Sequence, residues 1–68
     1  MITLYFQSVD DRDGWTEEFE TVEEAVSHFQ YQMGSVYDIG LSYAVNTYGD
    51  VTCTIHSDHT WKDLGLGN

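Results

Sequence analysis

The sequence predicts an α+β fold: a two-layer sandwich in the order β-β-α-β-β, with one helix packed on a four-stranded, mostly antiparallel sheet. Three features carry that expectation. Apolar residues alternate with polar ones at both ends of the chain, a capped segment with helical periodicity lies between, and turn-forming clusters separate the runs. At 68 residues there is room for one domain, 1–68, with one small core, which excludes a two-domain enzyme.

Ile2, Leu4 and Phe6 alternate with Thr3, Tyr5 and Gln7, the period-two pattern of a strand with one buried face. Asp10-Asp11-Arg12-Asp13-Gly14 is rich in turn formers, and the stretch from Trp15 to Phe19 that follows reads as the second arm of a hairpin. Thr21 and Glu24 have capping-box spacing: the threonine oxygen can accept from the N–H of Glu24 while the glutamate reaches back to Thr21. A helix is therefore expected from about Val22, with Val22, Ala25, Val26, Phe29 and Met33 within an arc of roughly 100°. Gly34 suits the position just past its end. Ile39, Leu41, Tyr43 and Val45 alternate with Gly40, Ser42, Ala44 and Asn46, which reads as one long strand. After the turn Thr47-Tyr48-Gly49-Asp50, its partner carries Val51, Cys53 and Ile55 against Thr52, Thr54 and His56. The remainder has room for one helical turn around Thr60 to Leu64.

Twelve Asp and Glu against two Lys and Arg give a formal net charge of −10. Such a balance works against direct nucleic-acid or anionic-membrane binding, because only Arg12 and Lys62 could neutralise phosphates; a basic protein is the natural complement. Hydrophobic residues at 41% and aromatics at 15% are too many for a disordered acidic tail, so the chain is expected to fold. The lone Cys53 cannot form an internal disulfide, and neither a membrane span nor a signal-peptide layout is seen. The expected location is the cytoplasm.

The charge is local. Asp10, Asp11, Asp13, Glu17, Glu18, Glu20, Glu23 and Glu24 fall within residues 10–24, where Arg12 is the one cation. Glu23 and Glu24 are assigned mainly to helix stability, since anions there meet the positive end of the dipole. Glu18 and Glu20, at alternate strand positions about 6.7 Å apart, are expected to form a regular row of charge on one face. Such a row also protects a sheet edge from aggregation. Tyr31, opposite the apolar stripe of the helix, and Trp61, in the polar tail, are expected to be exposed anchors, as are Tyr37 and Tyr48 in loops.

Other chemistries fit less well. Asp11, Asp13, Gly14 and Glu20 match positions of a calcium loop counted from Val9, but Val9 is no ligand and the flanks read as strands. Cys53, His56 and His59 have zinc-like spacing, yet on a strand Cys53 and His56 point to opposite faces. No nucleophile motif or phosphate-cradling loop is present, and a carboxylate acting as general acid needs a pocket that so small a sandwich rarely encloses. The expectation is a protein without catalytic activity, cofactor or metal.

In size, acidity and layout the chain resembles the small proteins with which bacteriophages disarm their hosts: anti-CRISPR proteins, DNA-mimicking anti-restriction proteins and inhibitors of host RNA polymerase. The local echo is Glu20-Thr21-Val22-Glu23-Glu24-Ala25, similar to a strand-to-helix junction of a short phage polymerase inhibitor. What the resemblance implies is inhibition by occupying a nucleic-acid-binding surface in the host cytoplasm. The carboxylates of Asp10, Asp11, Asp13, Glu17, Glu18 and Glu20 would meet Lys and Arg, with Tyr31 or Trp61 as anchors. The alternative is a structural or regulatory module that self-associates, as a homodimer for example, through an open sheet edge and uses its acidity for solubility.

Overall fold

A hairpin and a three-stranded meander meet side by side in this chain, and the first strand of the hairpin pairs with the last strand of the meander. The computed structural model describes residues 1–66; Gly67 and Asn68 lie outside the described residues. The elements are β1 (Ile2–Ser8), β2 (Trp15–Phe19), α1 (Val22–Met33), β3 (Tyr37–Ile39), β4 (Tyr43–Asn46) and β5 (Val51–Ile55). They form one sheet in the order β2-β1-β5-β4-β3, every pairing antiparallel.

The α+β class holds, but the sheet has five strands where four were expected. The segment read as one strand from Ile39 to Asn46 is a tight hairpin, in which Gly40 N–H donates to the Tyr43 carbonyl at 2.6 Å. A Cβ on Gly40 would lie 3.1 Å from that oxygen and from the Tyr43 ring, so the turn closes tightly because residue 40 has no side chain. Folding back at 40–42 also reverses the expected facing. Ala44 is buried opposite Cys53, whereas Leu41 and Tyr43 are exposed.

Elsewhere the alternation translates directly. Ile2, Leu4, Phe6 and Cys53 are buried with Ala25, Phe29 and Met33 of the helix. Thr21 caps α1, its hydroxyl accepting from Glu24 N–H at 3.2 Å; among the described residues only this half of the capping box forms. At the other end Gly34 has φ of 79° and donates its N–H to Gln30. Gly14 closes the first hairpin with φ of 70°, its N–H donating to both the carbonyl and Oδ1 of Asp11. The Tyr5 hydroxyl donates to the Asp13 carbonyl at 2.8 Å and the Gln7 amide to that of Arg12, strapping this turn to β1.

One helix cannot cover such a sheet. Five strands spaced about 4.8 Å span about 19 Å, against roughly 10 Å for a helix with its side chains. The tail covers part of the remainder. Thr60 and Asp63 cap each other reciprocally, at 3.0 and 3.3 Å, to make a hydrogen-bonded turn in place of a helix. That turn inserts Trp61 and Leu64 into the core, the indole 5.3 Å from the Phe29 ring. No helix among the described residues is long and apolar enough to cross a membrane.

Candidate protein-binding surface

Directly paired residues of an antiparallel sheet share a face, so the register sorts the side chains of β2. Trp15, Glu17 and Phe19 lie opposite Phe6, Leu4 and Ile2, on the face that carries the helix; Thr16 and Glu18 lie opposite Tyr5 and Thr3, on the open face. The edge strand therefore carries a carboxylate on each side. Glu17 is half-buried and Glu18 exposed. Glu20 falls beyond the end of β2, in the bend before Thr21, so the expected regular row of Glu18 and Glu20 on one strand face does not form. The chain must turn there to carry the helix back over the sheet, and the cap at Thr21 fixes where it does so.

The remaining acids of the window surround this strand. Asp10, Asp11 and Asp13 are exposed in the turn leading into β2, and Glu23 and Glu24 are exposed in the first turn of α1. Of the eight carboxylates in residues 10–24, one accepts a hydrogen bond among the described residues: that of Asp11, from Gly14 N–H. Negative charge thus collects along one edge and the adjoining flank of the helix, and is little used internally.

Between the helix and β2 runs a shallow groove lined by Phe19, Glu23, Glu24, Ser27 and His28. Its floor is aromatic. The His28 ring lies 5.3 Å from both Phe6 and Phe19, and 6.3 Å from Tyr31 on its outer side. His28 Nε2 is buried without a hydrogen-bond partner among the described residues. Tyr31, 82% exposed, stands on the outer side of His28, in solvent as expected.

Trp61 does not. At 3% exposure it belongs to the core, and the tail that carries it lies along β3, at the opposite edge from β2. The expectation of an exposed indole fails because the helix leaves the β4–β3 half of the sheet uncovered and Trp61 is the large apolar side chain available to fill it. Tyr37 is likewise half-buried in β3, edge-on to Phe29 at 5.0 Å, whereas Tyr48 is exposed as expected. Trp61 and Tyr37 together with Ile39, Leu41 and Lys62 border a second groove of about 730 Å³, distant from the acidic window by the width of the sheet.

A surface missed in the sequence is the open face of the sheet. Tyr5, Thr54 and Tyr43 lie in register across three strands, with Gln7, Thr52 and Val45 in the next row. His56 packs on the Tyr5 ring at 5.8 Å. The polar positions of the alternation at 2–7 and 51–56 were the signal, obscured at Tyr43 and Val45 by the unrecognised hairpin. Cys53 and His56 do diverge, one in the core and the other on this face. Residues 9–20, which match part of a calcium loop, are flanked by β1 and α1 and contain β2, rather than joining two helices. Among the described residues no group of three or more His, Cys, Asp or Glu is placed to hold a metal ion.

No family model, curated protein sequence or solved structure matches the chain. The surface must therefore be read from its own chemistry.

Proposed function

We propose that this chain is a non-catalytic inhibitor of the type bacteriophages direct at host enzymes and defence complexes, acting as a decoy for nucleic acid. Its acidic flank docks on a basic surface that otherwise holds phosphates. The observation that carries this reading is the collection of carboxylates from Asp10 to Glu24 around one free sheet edge, with a single internal hydrogen bond among them. Complementary fields would speed encounter, and carboxylates would pair with Lys and Arg in place of phosphate oxygens. Tyr31, exposed on the outer side of His28, supplies an aromatic contact that a partner can bury.

Self-association through the β2 edge is disfavoured by the same charge, since two copies paired there would place Glu17 and Glu18 against their like.

The test is capture of host-lysate proteins by the tagged chain across a salt series, repeated with the double variant Glu18→Lys, Glu20→Lys. A nucleic-acid-binding partner should be retained at low ionic strength, released steeply as salt rises, and lost by at least tenfold in the variant while the variant melts no lower than the parent. Undiminished retention by the variant would remove the carboxylates from the mechanism.

A further inference from the structure

The sheet ladder itself shows which backbone groups of β2 are unused. His56 N–H donates to the Thr3 carbonyl and Val9 N–H to that of Asp50, so the odd-numbered residues of β1 turn their N–H and C=O groups toward β5. Its even-numbered residues turn theirs toward β2, where they meet Trp15, Glu17 and Phe19. The N–H and C=O groups of Thr16 and Glu18 accordingly point outward, on the terminal strand of the sheet. The opposite edge is shorter: β3 has three residues, and Thr60, Trp61 and Lys62 of the tail line a groove with it.

We propose that β2 receives an extended, Lys/Arg-rich segment of the partner as a sixth strand, hydrogen-bonded to the outward groups of Thr16 and Glu18. The inference rests on the decoy reading above and specifies how the partner is held. Three observations converge on this occupant. Among the described residues the edge is unpaired, it carries a carboxylate on each face, and a concave flank lined by Phe19, Glu23, Glu24 and His28 adjoins its helix side. Strand addition draws affinity from main-chain hydrogen bonds and specificity from alternate side chains. Here alternate side chains of an added strand would meet Glu18 on the open face and Glu17 with the groove acids on the other. The segment that fits therefore bears cations at consecutive positions; one with cations at every second position would satisfy only one face.

The probe is a ten-residue peptide with a central run of Lys and Arg between Thr and Val residues, titrated into the ¹⁵N-labelled protein. A twin N-methylated at two adjacent central residues loses a donor on each of its edges and keeps its charge. Strand addition requires that the Thr16 and Glu18 amides shift and gain protection from hydrogen exchange, and that the twin bind about tenfold more weakly, as expected for one or two lost hydrogen bonds. Thr16→Pro should weaken the parent peptide comparably. Its N–H is not part of the ladder to β1, so the fold, followed by circular dichroism, should persist. Equal binding of both peptides without protection at Thr16 and Glu18 would overturn strand addition and leave the acidic surface standing. Binding of neither peptide would overturn both.

Discussion

Cys53 is fully buried on β5, and burial pushes its thiol from an ordinary value of 9.0 up to about 12. The folded chain therefore holds this proton where the unfolded chain releases it. The contribution to stability is complete below pH 9 and declines as pH rises from 9 toward 12. Comparing the pH dependence of unfolding for the protein and for Cys53→Ala should show a shallower alkaline loss in the variant. A thiol reagent at pH 8 should modify Cys53 at least a hundredfold more slowly than in denaturant; rapid native labelling would contradict the burial. Its inward position could be read from the alternation with Thr52 and Thr54. That of Trp61 could not, because polar neighbours surround it in sequence and its apolar contacts, Phe29 foremost, lie 32 residues away.

The elements differ in how tightly their ends are specified. At Gly14 a Cβ would lie 2.4 Å from the Phe6 carbonyl and 2.6 Å from the Tyr5 hydroxyl, in addition to meeting the cost of a positive φ; at Gly34 nothing stands within 4 Å. With φ of 79° and ψ of −165°, Gly34 adopts backbone angles almost confined to glycine, so Gly34→Ala should cost about 1–3 kcal/mol, the conformational term alone. Gly14→Ala should cost clearly more, by urea unfolding, because it also breaks the strap between β1 and the turn. Similar losses at the two sites would show that the first hairpin relaxes freely. The helix and the first hairpin were legible because their signals are local: a cap, a stripe, a glycine after charged turn formers. The division into β3 and β4 was not, since Gly40-Leu41-Ser42 continues an alternating pattern without Pro, Asn or Asp to mark a turn.

At the scale of the molecule, a net charge of −10 opposes the compact state, and the repulsion is greatest around β2 and the start of α1, where eight acids face one arginine. Raising NaCl from about 10 to 300 mM shortens the screening length from roughly 30 Å to under 8 Å. The melting temperature should therefore rise over that range, with most of the gain lost in Glu18→Lys, Glu20→Lys. A melting temperature insensitive to salt would mean that the acids are spaced widely enough not to interact. The opposing trends expected for stability and for partner capture distinguish repulsion within the chain from attraction between chains.

The clustering of acids in residues 10–24 could be counted directly, and so could the one buried stripe of the helix, because charge and period are properties of neighbouring residues. Which strands lie at the edges, which face of β2 each carboxylate takes, and whether an aromatic ring ends in the core or in solvent were decided by the tertiary structure. Those outcomes depend on the register between distant strands and on the area a single helix leaves uncovered. Neither quantity exists until the chain has closed on itself.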